Sequence, residues 1–149
     1  MQIKSTKGFT LVELMVVAII VAILAAVAIP LMSANKRRAM ATEAEAGLGT
    51  IRSSLRALYA QTSDYTDDGS GGTVGTGAVV GNVPGISAGD LDGRYFSDAS
   101  YTITAITADS YTLQASGDAA DATVALDAAE VAGVTITLDE EGTFTRTFP

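Results

Sequence analysis

Lys7 to Pro30 reads KGFTLVELMVVAIIVAILAAVAIP. From Leu14 to Ile29 the run is uninterrupted apolar sequence, and one carboxylate, Glu13, stands at its head. As a helix, Phe9 to Met32 spans about 36 Å at ~1.5 Å per residue, enough to cross a hydrocarbon core of about 30 Å. A carboxylate is costly in lipid, so a plain membrane anchor accounts for the length and leaves Glu13 unexplained. An ordinary secretory signal with Ala26-Val27-Ala28 as its cleavage site meets the same objection. It would also place Pro30 second in the remaining chain.

Charge is distributed unevenly. The net charge is −8, yet Lys4, Lys7, Lys36, Arg37 and Arg38 all flank the apolar run. Beyond Arg38 four basic residues face sixteen acidic ones. An acidic exposed region disfavours nucleic acid as a partner, because phosphate repels it. Positive charge on both flanks blurs the orientation. The short leader, residues 1–8, is placed in the cytoplasm because the bulky acidic region follows the run and must lie on the far side. There is no cysteine and no histidine. That removes disulfide staples, the commonest metal ligand and general base, and any Ser-His-Asp triad. The chain is read as a non-enzyme with no catalytic residue, no metal ligand and no cofactor.

After Leu31 the pattern turns amphipathic. Ala41, Ala44, Leu48, Ile51, Leu55, Leu58 and Thr62 repeat at three- and four-residue steps. Glu43, Glu45, Arg52 and Arg56 fall largely off that stripe. One long helix is expected from about Phe9 to about Thr62, with Gly47 and Gly49 as weak or close-packing positions. Pro30 lacks an N–H and crowds the carbonyl of Ala26, which makes it a weak point of that helix. Residues 33–62 form its amphipathic half, whose Leu/Ile stripe calls for a sheet to pack on. Residues 63–94 are Gly-rich without hydrophobic period and read as a long connection. Asp64/Asp67/Asp68 and Asp90/Asp92 cluster within it but lack EF-hand spacing, so solvated turns are the preferred reading over calcium.

Residues 95–149 alternate as an antiparallel sheet region. Strands are expected at Ser100–Ile106, Tyr111–Ala115, Val134–Leu138 and Thr143–Arg146. The last two flank the turn Asp139-Glu140-Glu141-Gly142. Ile103 with Leu113, and Ile136 with Phe144, are expected on the apolar face. Residues 118–131 read either as an extra strand at Thr123–Leu126 or as an irregular crossing.

Gly8-Phe9-Thr10-Leu11-Val12-Glu13-Leu14, with the apolar run and Pro30, resembles the cleavage and methylation motif of type IV pilins and type II secretion pseudopilins. The resemblance covers about the first thirty residues. It implies cleavage between Gly8 and Phe9 by a prepilin peptidase, N-methylation of Phe9, and a core helix, residues 9–32, that stays in the mature chain. It also implies that Glu13 pairs with the new amine of a neighbouring subunit. The implied fold is α+β and pilin-like, a long helix on an antiparallel sheet of about four strands. The implied function is a structural subunit of a type IV pilus-like filament serving adhesion, motility or DNA uptake. The alternatives are a type II secretion pseudopilin and a membrane-anchored protein that never polymerises. The implied partners are further copies in a helical homopolymer, the processing enzyme, an inner-membrane assembly platform, and membrane lipid before assembly. The implied location is a single pass of the inner membrane and then the cell surface. Many type IV pilins close a C-terminal loop with a disulfide, which this chain has no cysteine to form.

Overall fold

The computed structural model describes residues 8–149. Most of the expected leader, including Lys4 and Lys7, therefore lies outside the described residues. The chain divides into two units, Met1–Arg37 and Arg38–Pro149.

Helix α1 covers Leu11–Thr62, 52 residues, and runs through Pro30. In the first unit it is long and apolar enough to cross a membrane, and none of its most apolar stretch is buried. Large side chains from Phe9 to Met32 stand half or more exposed. Burying one such side chain is worth about 1.5–3 kcal/mol. Leaving this many in water is untenable, so the segment requires lipid or other apolar helices around it.

In the second unit, the expected stripe is the buried face of α1. Met40, Ala41, Ala44, Leu48, Ile51, Leu55 and Leu58 are buried. Helix formers fill this half, and their apolar members recur at the helical period. The helix ends where Ser63 enters the left-handed region with φ 57°, and its N–H closes on the Tyr59 carbonyl at 2.8 Å.

Five antiparallel strands follow in chain order: β1 (Gly77–Ala78), β2 (Tyr101–Ile106), β3 (Tyr111–Ser116), β4 (Thr135–Asp139) and β5 (Phe144–Thr147). Four lie within a residue or so of expectation. The two-residue β1 comes from the stretch read as a connection, where its partner β2 supplies the pairing that a Gly-Ala dipeptide could not announce. Ile103 faces Leu113 as expected. Phe144 pairs with Leu138, two residues from Ile136, so Ile136 and Phe144 share the apolar face as expected, and Ile136 itself pairs with Arg146. The hairpin turn sets this register. Gly142 at φ 98° lets its N–H reach the Asp139 carbonyl at 3.1 Å, and the strands then run back from Asp139 and Thr143.

The core lies between the α1 stripe and alternate residues of β2–β4, with Ile103, Leu113, Ala115, Ile136 and Leu138 at 2% exposure or less. Residues 63–94 are more ordered than a plain connection. They bury Val74, Val79, Val83, Ile86 and Leu91, and Asn82 hydrogen-bonds both backbone groups of Gly75, at 3.0 and 2.6 Å. Residues 118–131 are an irregular crossing of turns and two short 3₁₀ turns, Gly117–Ala119 and Ala128–Val131, with no strand.

Candidate functional site

The N-terminal group is assembled by the start of α1. Gly8, Phe9 and Thr10 are non-helical and exposed, and with Glu13 they line one shallow depression of about 290 Å³. Phe9 is 77% exposed. The Glu13 carboxylate accepts the Thr10 N–H at 3.2 Å and the Thr10 hydroxyl at 3.1 Å. In return the Glu13 N–H donates to Thr10 Oγ1 at 3.2 Å. This is a reciprocal capping box with Thr10 as N-cap, which satisfies donors that a helix start leaves orphaned. The Thr-x-x-Glu spacing was present in the sequence, and Thr10 is the residue that sequence reading passed over.

The box bends Glu13 back toward the N-terminal end of the helix. A carboxylate there also complements the positive end of the helix dipole. Phe9 stands one residue before the N-cap. Pro30 lies seventeen residues further on, still helical. The carbonyl of Ala26 loses its usual donor there, while the Ser33 hydroxyl donates to the Ile29 carbonyl at 3.4 Å.

The second unit is pinned to its helix by polar residues that lie off the apolar stripe. Glu43 Oε1 accepts the backbone N–H groups of Tyr95 and Phe96 at 2.7 and 2.8 Å. Arg52 donates to the Glu140 carbonyl at 2.9 Å, which fastens the β4–β5 turn to the helix. Glu45 forms an ion pair with Arg146 on β5. These contacts cross more than fifty positions of chain, so no local spacing could reveal them. Beside them Tyr101 packs its ring against Gly47. Burial holds its phenol far above the ordinary tyrosine range, and the Glu43 and Asp98 charges add to this. Burial likewise raises Tyr111, while neighbouring Arg52 pulls the other way. Tyr111 closes an aromatic group with Tyr65 and Tyr59.

The acidic clusters serve the loop itself. Asp64 accepts the Thr66 N–H and hydroxyl at 2.7 and 2.6 Å. Asp68 accepts from the Ser70 and Gly72 N–H groups, both at 2.8 Å. These bonds lower both carboxyls, led by the Thr66 hydroxyl at Asp64 and the Ser70 N–H at Asp68. Asp90 accepts the Ser87 N–H and Asp92 the Asp98 N–H. The bonds of Asp64 and Asp68 to the residue two ahead are ordinary turn-closing uses of Asp, while Asp92 reaches six residues along the chain.

Comparison with known proteins bears on this N-terminal group. Residues 3–29 match the family model described as the prokaryotic N-terminal methylation motif. Gly8, Phe9, Glu13 and the apolar run all fall inside that match. Over 61 residues the chain is 36% identical to the type IV major pilin protein PilA of Myxococcus xanthus (strain DK1622). The aligned part is 41% of this chain and 28% of that protein, so the chain matches less than a third of its relative's length. Among solved structures, the non-core minor pilin PilV of Neisseria meningitidis aligns over 70% of this chain and 87% of its own. It does so at 18% identity and a TM-score of 0.35, a likeness too loose to carry an argument. The chain thus carries the prokaryotic N-terminal methylation motif at the head of an α+β fold, and over the aligned 61 residues it is similar to a type IV major pilin.

Proposed function

We propose that this chain is a structural subunit of a type IV pilus-like filament. The observation that carries the reading is the exposed apolar helix with Glu13 in its first turn. In the membrane, lipid covers the apolar side chains. In a filament, the same helices from neighbouring copies replace the lipid and form an apolar core.

Cleavage between Gly8 and Phe9 gives the helix a new ammonium and removes the leader. Methylation retains that charge. Glu13 of one copy then pairs with the Phe9 amine of another. An unpaired buried charge is expensive, and a well-made buried pair is tolerable. A copy docked one step out of place leaves both charges unpaired in an apolar core, so the pair fixes the stagger. Thr10 holds the carboxylate turned toward the amine end. Pro30 supplies a place where the helix yields on packing. The role is structural, and the partner is further copies of the chain.

Intact-mass measurement and N-terminal sequencing of protein sheared from the cell surface test this. A chain beginning at Phe9 with one added methyl is the expected result. Processed protein confined to the membrane fraction would favour a pseudopilin. A chain beginning at Ile29 would overturn the proposal.

A further inference from the structure

The face of the sheet turned away from the core takes no part in the chemistry above. Its residues alternate with the buried set. Thr102 lies between buried Tyr101 and Ile103, Gln114 and Ser116 flank buried Ala115, and Thr135 and Thr137 flank buried Ile136. Side chains alternate across a strand, so these project to the other side. On β5, Arg146 turns to the helix side, where it pairs with Glu45, which leaves Thr145 and Thr147 on the far side. The register then aligns the set. Thr102, Gln114, Thr137 and Thr145 stand opposite one another in one row across β2–β5, and Ser116, Thr135 and Thr147 form a second. Neighbours in a row are about 4.8 Å apart, and the rows are about 6.7 Å apart along the strands. The next row is broken, because the register shifts between Ile103 and Ala105 and its β4 member is Asp139.

Six hydroxyls and one amide thus stand in two ordered rows, all partly or fully exposed. Among the described residues none of these side chains makes a hydrogen bond. None carries a charge, although the chain as a whole carries −8. Each hydroxyl keeps one donor and two acceptor sites open. A neutral face calls for a neutral partner, which sets aside nucleic acid and anionic lipid. Protein hot spots favour Trp, Tyr and Arg and are poor in Ser and Thr, and neither row holds an aromatic ring. The same lack leaves a sugar ring nothing to stack on. What the face does offer is a two-dimensional mesh of donors and acceptors, and it fits a partner with such a mesh of its own. Ice is one. The oxygens on its prism planes repeat on a rectangular mesh of closely similar spacing, and each offers a donor or an acceptor.

We propose that the two hydroxyl rows on β2–β5 bind the surface of ice. Threonine suits the task, because its β-branch restricts χ1 and holds the hydroxyl in place with little rotamer freedom left to lose. The site is independent of the filament reading, since no residue of the apolar helix contributes to it.

Slow growth of polycrystalline ice from a dilute solution of the full chain in phosphatidylcholine nanodiscs tests it. Empty discs carrying a distinct fluorescent lipid report passive trapping. Wild-type chain is expected to be enriched in the ice over the empty discs. Thr137→Lys and Thr145→Lys, each of which raises a long charged side chain above the mesh, are expected to fall to the level of the empty discs. Thr145 lies on a margin strand, where lysine is commonplace, so that variant keeps its fold, as far-ultraviolet circular dichroism should show. Thr50→Lys, at an exposed position of α1, is expected to bind ice as the wild type does. Wild-type chain no more abundant in the ice than empty discs would overturn the proposal. So would enrichment surviving in Thr145→Lys, or its loss in Thr50→Lys, which would reduce the effect to net charge. Retention of the wild type on crystalline cellulose without enrichment in ice would replace ice with a neutral polysaccharide.

Discussion

Gly47 and Gly49 lie two residues apart in α1, and alanine at the two positions is expected to act in opposite directions. A Cβ at Gly47 would fall 2.5 Å from Cζ and the hydroxyl oxygen of Tyr101. Favourable carbon contacts lie at about 3.5–4.0 Å, so the overlap is about 1 Å. The Tyr101 ring cannot swing clear, because it is 1% exposed and packed beside Phe96 with ring centroids 6.2 Å apart. Overpacking of this kind costs about 1–3 kcal/mol. The intrinsic helical gain of alanine over glycine offsets about 1 kcal/mol of that. At Gly49 nothing lies within 4 Å of the added carbon, so the gain of about 1 kcal/mol stands alone. The two variants should therefore differ by about 1–3 kcal/mol, with Gly47→Ala the less stable. For a domain of about 100 residues each kcal/mol moves Tm by about 4 °C or more. The assay is thermal unfolding of the full chain in detergent micelles, followed by near-ultraviolet circular dichroism of the tyrosines. Gly47→Ala melting at or above Gly49→Ala would refute the packing argument.

Glu43→Ala leaves the Tyr95 and Phe96 N–H groups without their acceptor and should cost about 1–3 kcal/mol. Hydrogen exchange at those two amides, unchanged from wild type, would show that the contact does not hold the segment. Among the described residues no hydrogen bond of good geometry reaches the buried Tyr111 hydroxyl, although Arg52 stands beside it, so Tyr111→Phe should be neutral or stabilising by up to about 1 kcal/mol. A lowered urea midpoint would contradict this. Tyr101 is held protonated in the folded state, while the unfolded phenol ionises near pH 10. The folded state thus binds the proton more tightly. Stability should be full below about pH 10 and fall as pH rises above it; a flat unfolding midpoint between pH 9 and 11.5 would count against it. Finally, Glu13→Gln should leave membrane insertion intact and abolish surface filaments. Filaments in normal amount, seen by electron microscopy of sheared material, would remove Glu13 from assembly.

Much of the architecture was legible because it rests on short-range periodicity. The α1 stripe repeats at helical spacing, and Tyr101–Ile106 or Thr135–Asp139 alternate as half-buried strands do. The N-terminal motif was legible for another reason, since the stretch that the family model matches over residues 3–29 holds one carboxylate at the head of a long apolar run. What escaped was either too short or too distant. β1 is two residues long, and its identity comes from β2. Val74, Val79, Val83, Ile86 and Leu91 are spaced irregularly among glycines, so nothing local marks them as core. Glu43, Glu45 and Arg52 fall off the apolar stripe, and nothing local assigns them a role because their partners lie elsewhere in the chain. The register that sets Phe144 against Leu138 follows from the closure of the turn at Gly142, which the alternation of faces alone does not fix. The reciprocal bonds of Thr10 and Glu13 were within reach of the sequence, but the special status of the carboxylate drew attention away from its threonine.

The order of the sheet has a consequence for how this chain avoids aggregating. A meander leaves two open margins, and each is a template on which a foreign strand could pair. Here one margin is the two-residue β1, with Gly77 at φ 119°. The other is the four-residue β5, which carries Arg146 and runs within two residues into Pro149. Neither offers a long flat ladder, so runaway stacking of sheets is discouraged at both ends. For a subunit that joins copies of itself through one helix, as proposed above, blunted sheet margins close another route to self-association.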